Sequence, residues 1–332
     1  MNRLKLYAVA LSLMGSVTCG ALRAEEYNIT VVTPETPTSF INLYLQIAYE
    51  KGFFKKNGLN VVEFLQLKGG PLATTSVVSG KADLTATDVE GIINATKAGY
   101  GIRAVSSPAP KLAYVVGARK EIASFKDLKG KPFAVSRAGA LSQYVNFPFL
   151  AREGLTKNDI QWLSVGSSKD RMMALMADRV KAAVLYIDNA MELRDDPSIH
   201  FIAEISELLP LYAYELLIVR QEDIEKRPEK VIRIVQSIME ACRFLKDNRE
   251  EAIASFIKWT SADPKIAAEL YDFIVKRGVW GVNGGMTGPM LDNAVEVSIQ
   301  NGVLDKPIPH EQFANFRFQE EALKRIGGPI PE

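Results

Sequence analysis

AYEKGFFKKNGLNVVEFLQLKGGPLATTSVVSGKADLTATDVEGIINATKAGYGIRAV, residues 48–105, passes through helix, turn, strand, glycine loop, helix, strand, turn and helix at short intervals. Gly52 and Gly58 bracket Phe53-Phe54-Lys55-Lys56, and the β-branched, apolar run Leu59–Leu65 that follows reads as a strand. Lys68-Gly69-Gly70-Pro71 interrupts it before a segment of small helix formers, Leu72–Ser79. Gly80 sits where a C′ glycine closes a helix, and Ala82–Ala86 is short and apolar enough for a buried strand. Strands alternating with helices predict an α/β fold, a mainly parallel sheet with helices on both faces. Ligands of such sheets sit beyond the carboxyl ends of the strands, here Gln66–Pro71 and Thr87-Asp88.

Working outward, Ile29–Val32 is a strand ended by Pro34-Glu35-Thr36-Pro37. Thr38 or Ser39 can cap a helix running Phe40–Tyr49, whose free N–H groups would suit an anionic group. Beyond the opening stretch, Ile102–Ser106 is a strand, Pro108 and Pro110 break the pattern, and Leu112–Gly117 carries the chain into a second lobe. That lobe repeats the logic of the first. Its strands are Phe133–Val135, Ile160–Val165, Ala182–Leu185 and Phe201–Ala203, with helices Gln143–Arg152 and Arg171–Asp178 between them. Ala213–Val219 leads back to the first lobe, and from Arg227 onward the pattern is helical, with Trp280–Gly285 as a loop. The division expected is residues 27–112 plus 215–332 for one lobe and 113–214 for the other, with a two-strand hinge.

Two blocks carry a family resemblance. Glu50–Val61 looks like the "AxxxGxFxxxGLxV" signature of periplasmic solute-binding proteins serving ABC importers, in the branch for nitrate, sulfonates, taurine and pyrimidine precursors. Gly69-Gly70, with Ser79–Asp83, resembles that branch's glycine loop and "SGxxD" turn, and Ser124–Val135 is similar to its "DLKGKxxxV" motif. The resemblance implies a type II-like two-lobed binding fold closing on a small solute, an ABC permease at the inner membrane as partner, a monomer, and no cofactor.

Composition agrees with an exported globular protein. A chain of 332 residues exceeds what one core usually organises. Lys+Arg 40 against Asp+Glu 39, with no long basic run, argues against nucleic acid. Arg3 and Lys5 precede an apolar run, Leu6–Val17, and small residues follow, the pattern of a signal peptide spanning residues 1–24. Cleavage after Ala24 puts the protein in the periplasm and, by removing Arg3, Lys5 and Arg23, turns the formal charge from +1 to −2. A lipoprotein acylated at Cys19 is the weaker alternative, since Thr18 suits that processing poorly. Cleavage leaves Cys242 as the one mature cysteine, so neither an intrachain disulfide nor a cysteine zinc site is expected.

Arg137 is the leading ligand-binding candidate, placed between a strand and a helix start where guanidinium and backbone donors could converge on a carboxylate or sulfonate. Ala140 and Ser142 belong to the same turn. Gly69, Gly70, Thr87 and Asp88 hold the matching place in the first lobe, although Asp88 could equally cap the next helix. Thr38, Ser39 and Phe40 open the first helix, Asp188 follows a strand end, and Tyr186, Tyr212 and Trp280 could floor the cleft. Each aromatic read singly suits core packing better. His200 and His310 read as surface residues, and HExxH, GxSxG, GxxxxGK[ST] and GxGxxG are absent, so no catalytic or metal residue is assigned. A small organic anion, possessing aromatic character or not, is the expected ligand; Asp88 and Glu35 leave a zwitterion or nitrogen heterocycle open. Competing readings are a sensory binding protein and an enzyme. A relative of this fold makes the thiamine pyrimidine with a cysteine-rich motif and an iron-linked site, a pattern from which this chain departs.

Overall fold

The computed structural model describes residues 26–67, 69–207 and 212–331. The leader, Cys19 included, lies outside the described residues, as does Lys68. Among them the strands β1 (Tyr27–Thr33), β2 (Leu59–Gln66), β3 (Leu84–Asp88), β4 (Ile102–Ala109), β5 (Tyr114–Arg119), β6 (Pro132–Val135), β7 (Gln161–Ser164), β8 (Ala182–Tyr186), β9 (Ile199–Glu204) and β10 (Glu215–Arg220) build two five-stranded sheets. Their orders, β2-β1-β3-β10-β4 and β7-β6-β8-β5-β9, are the same pattern twice.

In each sheet the strand next to the edge is reversed. β10 is antiparallel to β3 and β4, and β5 is antiparallel to β8 and β9, while β1 and β6 run parallel to their neighbours. Four strands of each sheet therefore share one direction, in keeping with the mainly parallel expectation. The reversed strands are the two the chain reaches by crossing: β5 directly follows β4, and β10 directly follows the second sheet. Both crossings, near Pro110–Ala113 and Tyr212–Tyr214, thus lie side by side at the joint between the sheets.

Four local readings need correction. The first helix runs Leu43–Glu50, not from Phe40, with Asn42 at its N-cap, so neither Thr38 nor Ser39 holds the cap position. Pro108 does not end β4 but lies inside it. β4 is an edge strand, and its register with β10 shifts between Glu215/Leu217, so Ser107 and Pro108 fall in an irregularity where no ladder N–H is needed from proline. Helix Gln143–Arg152 is two short helices, Leu141–Tyr144 and Phe147–Arg152, because Pro148 has no N–H for the turn before it. Asn146 covers part of the break, its side-chain amide donating to the Ser142 carbonyl at 2.8 Å. Tyr186-Ile187-Asp188 is not simply a strand end: a helix, Ile187–Leu193, starts there.

The loop at 280–285 docks on the outer edge of β4. Gly281 N donates to the Pro108 carbonyl at 2.9 Å and Ser107 N to the Gly284 carbonyl at 2.6 Å. A Cβ on Gly281 would come within 2.2 Å of the Ser107 carbonyl oxygen. Gly281→Ala is accordingly expected to lower stability by about 2 kcal/mol, as overpacking does elsewhere, which a urea midpoint would register; an unchanged midpoint would show that the loop is not held there.

Below the first sheet, Lys230 of helix Pro228–Asp247 is 2% exposed and pairs with Asp83 and, at 3.2 Å, with Asp223. Arg220 reaches the same carboxylates at 3.4 and 2.9 Å. Asp83 also accepts from Thr30 N at 2.7 Å, so one charged cluster joins β1, the turn before β3, β10 and two helices.

Candidate functional site

The carboxyl ends of β1, β3, β6 and β8 and the starts of β5 and β10 meet between the two sheets. Three tyrosines occupy the centre. Tyr114 and Tyr186, paired across β5 and β8, stack at 4.8 Å, and Tyr214 meets their edges at 5.3 and 6.3 Å. The Tyr214 and Tyr212 hydroxyls are buried without a partner in the protein.

Carboxyls surround this aromatic group. Glu215, opposite Asp88 in the β3–β10 ladder, accepts a hydrogen bond from the Tyr44 hydroxyl at 3.0 Å. Burial pushes its carboxyl up to about 7, against the pull of hydrogen bonds from Tyr44 and Asn42, with Asp88 adding to the rise. Glu35, in the Pro34–Pro37 turn after β1, is pushed well above the usual range by burial and then by the Asp188 carboxylate. Asp188, at the start of its helix, is raised to about 6 by burial, although it accepts from the Phe40 N–H at 3.3 Å. Arg171 faces Glu35, but its guanidinium donates to the Val184 and Gly166 carbonyls, both at 2.6 Å.

Two cavities border these carboxyls, the first Glu35 and Asp188, the second Asp88. The first, about 210 Å³, is bounded by the Glu35–Ser39 turn, by Ser167, Lys169, Asp188 and Glu192 of the second sheet's half, and by an apolar wall that includes Phe256, Ile266 and Leu270. The second, about 240 Å³, lies between Pro71, Thr74, Asp88 and Glu90 on one side and Arg137, Gly139 and Ala140 on the other. Glu90 is 1% exposed, with both carboxylate oxygens lacking a protein partner, and burial raises it well above the ordinary value.

The structure distributes the sequence candidates between these places. Thr38, Ser39 and Asp188 line the first cavity; Gly70 adjoins the second, and Asp88, Arg137 and Ala140 line it. Gly69, at φ +104°, holds the turn before Gly70 by donating to the Pro34 carbonyl at 2.8 Å. Thr87 is buried and bonded to Thr74 at 2.8 Å. Asp88 caps the helix Val89–Lys97, accepting from Gly91 N at 2.7 Å, and its carboxyl is raised by burial while Arg137 draws it down. Ser142 accepts from Ser136 N at 2.9 Å. Phe40 and Trp280 are core residues instead: their rings lie 6.0 Å apart, Phe40 packs on Phe256 at 4.4 Å, and the indole N–H donates to the Ile41 carbonyl.

The turn around Arg137 is not an open anion cradle. Ala138 N donates to Ser164 at 3.1 Å, Gly139 N to Gln143 at 2.8 Å and Ala140 N to the Arg137 carbonyl. Arg137 itself is exposed, with Asp88 close enough to feel its charge. Sequence reasoning passed over Tyr114, Glu215 and Glu90, and used Glu35 only, with Asp88, to leave a zwitterion or nitrogen heterocycle open. An acid between two prolines was the available signal for Glu35; nothing local marks Glu215.

A family model described as NMT1/THI5 like matches residues 38–252, more than half of the chain. The chain belongs to the NMT1/THI5-like family. A relative of this NMT1/THI5-like protein is "Putative binding protein YtlA" of Bacillus subtilis (strain 168), 22% identical, with 97% of this chain and 98% of that one covered. Its fold matches the periplasmic nitrate-binding protein NrtA of Synechocystis PCC 6803 (TM-score 0.77, 13% identity, 93% of this chain and 92% of that one). It also matches the periplasmic aliphatic sulphonate binding protein SsuA of Escherichia coli (TM-score 0.68, 18% identity, 87% and 92% covered). The NMT1/THI5-like chain therefore has the periplasmic binding protein fold.

Proposed function

We propose that this protein is an exported solute-binding component of an ABC importer, acting as a monomer in the periplasm and handing a small solute to a membrane permease. The repeated sheet order, with residues 27–112 and 215–332 on one side and 113–214 on the other, supports two lobes that rotate about the adjacent crossings. Enclosure between lobes needs no covalent step, and the described cysteine, Cys242, is buried with its thiol pushed up by burial, a poor nucleophile. The fold shared with the nitrate-binding protein NrtA and the sulphonate binding protein SsuA supports the solute-binding reading.

The observation that carries the ligand class is the run of buried carboxyls along the two cavities, Glu35 and Asp188 on the first and Asp88 and Glu90 on the second, with Glu35 Oε2, Asp188 Oδ1 and both Glu90 oxygens lacking a partner in the protein. Once ionised, such a site accepts hydrogen bonds far better than it donates them, and buried acceptors demand donors. The ligand we infer is a small planar or apolar solute bearing N–H donors, a nitrogen heterocycle or an amine, in place of the organic anion suggested by Arg137. Thermal-shift screening of residues 25–332 against sulfonates, aromatic carboxylates, taurine, nitrate, pyrimidines and amines tests this. Ligand at a hundredfold excess over its Kd adds roughly 2.7 kcal/mol. Stabilisation by a pyrimidine or amine is expected; stabilisation by sulfonate alone, lost in Arg137→Ala, would return the ligand class to an anion.

A further inference from the structure

Glu35 and Asp188 come from different halves of the molecule, one from the turn after β1 and the other from the helix start after β8, and both border the 210 Å³ cavity. Each is 7% exposed, and each keeps one oxygen, Oε2 of Glu35 and Oδ1 of Asp188, buried with no hydrogen-bond partner in the protein. They are close enough to repel one another. Two neighbouring cations are already engaged: Arg171 with the Val184 and Gly166 carbonyls, and Lys169 with Glu192. The remaining acids around the pair, Glu192 at the rim, Asp263 capping its own helix and Glu215 behind, add negative charge.

We infer that Glu35 and Asp188 form a subsite for a cationic nitrogen, an ammonium or amidinium, carried on the ligand and gripped by one carboxyl from each lobe. This deepens, and rests on, the solute-binding reading. A cation placed between the two carboxyls would relieve their repulsion and fill their free acceptor positions, which no neutral apolar group can do. Because the two acids belong to opposite lobes, the same nitrogen would hold those lobes together, so recognition and closure become one event. Pro37, Phe256, Ile266 and Leu270 form the apolar side of the cavity and suit the hydrocarbon or ring that bears the nitrogen. The ligand class is thus a small amine or amidine with an apolar body, and a carboxylate of the same shape is excluded by charge.

Benzamidine and benzylamine, with benzyl alcohol and benzoate as near-isosteric controls, probe this by calorimetry on the exported chain, residues 25–332. Both cations are expected to bind at least tenfold more tightly than benzyl alcohol, with benzoate silent. Glu35→Gln and Asp188→Asn should each weaken the cations tenfold or more while leaving benzyl alcohol unchanged. Without ligand at pH 8, Glu35→Gln should melt no lower than the parent, since burial and the Asp188 carboxylate outweigh the Arg171 charge at the carboxylate it removes. Binding of benzoate as well as benzamidine, cation affinity unchanged in Glu35→Gln, or no cation binding by the parent protein would each overturn the subsite. The wider reading fails separately: a pyrimidine or sulfonate hit without amine binding leaves solute capture standing, whereas silence with every solute removes both.

Discussion

Lys230→Met is expected to destabilise the protein by about 3 kcal/mol, because removing one partner of a buried ion pair leaves charge without compensation. Lys230 is 2% exposed and bridges Asp83 and Asp223. The effect sits at the low end of the usual range since Arg220 contacts both carboxylates and Arg227 reaches Asp223 at 2.8 Å. Asp83→Asn in the same background should recover part of the loss, for it removes the charge that Lys230 balanced. Guanidinium denaturation of the two single variants and the double variant closes the cycle. Additive losses would show that Lys230 and Asp83 do not act as a pair, and the cluster would then have no claim to join the sheet to its helices.

Glu215→Gln should change stability in a pH-dependent way, also by about 3 kcal/mol across the range, at 1.36 kcal/mol per pKa unit. The folded-state value of about 7 stands above the ordinary glutamate value of about 4.5, so folding favours the protonated carboxyl. Its stabilising contribution is fully present below about 4.5 and is lost as pH rises through about 7. At pH 8 the parent therefore carries an ionised, buried carboxylate that the glutamine variant lacks, and the variant should be the more stable. By pH 5 the difference should have nearly closed. Asp188, raised to about 6, has the same sign but is present in both proteins and cancels. Carboxyls held low, such as Glu229 at about 2, stay ionised through this window. Urea midpoints at pH 5, 6, 7 and 8 decide the matter: curves that stay parallel would mean Glu215 titrates normally.

Leu59–Leu65, Gly80 and the Phe133–Val135 run announce strand, helix stop and strand through local chemistry, so the alternation of elements and the echo between the halves were legible from residue types alone. The strand ends Gln66–Pro71 and Thr87-Asp88, after β2 and β3, read as ligand-facing for the same reason: turn residues follow apolar runs. Pro108 and Pro148 were misjudged because a proline's effect depends on whether its missing N–H has a partner to lose, and strand order answers that for Pro108. Arg137 looked like an anion clamp because its turn resembles an open helix start; in the fold Ser164 and Gln143 already take two of the turn's N–H groups.

Sequence by itself determined the elements, the doubled α/β plan and the positions of the loops, since all of these follow from interactions within a few residues. Tertiary structure alone decided the electrostatics of the cleft. Glu215 meets Tyr44 across 171 residues, and Phe40 meets Asp188 across 148, contacts that exist because β10 returns between β3 and β4 after the second sheet is complete. A carboxyl's charge is written in its residue type, but its burial and its partners are properties of the packed chain, and those set what the cleft can hold.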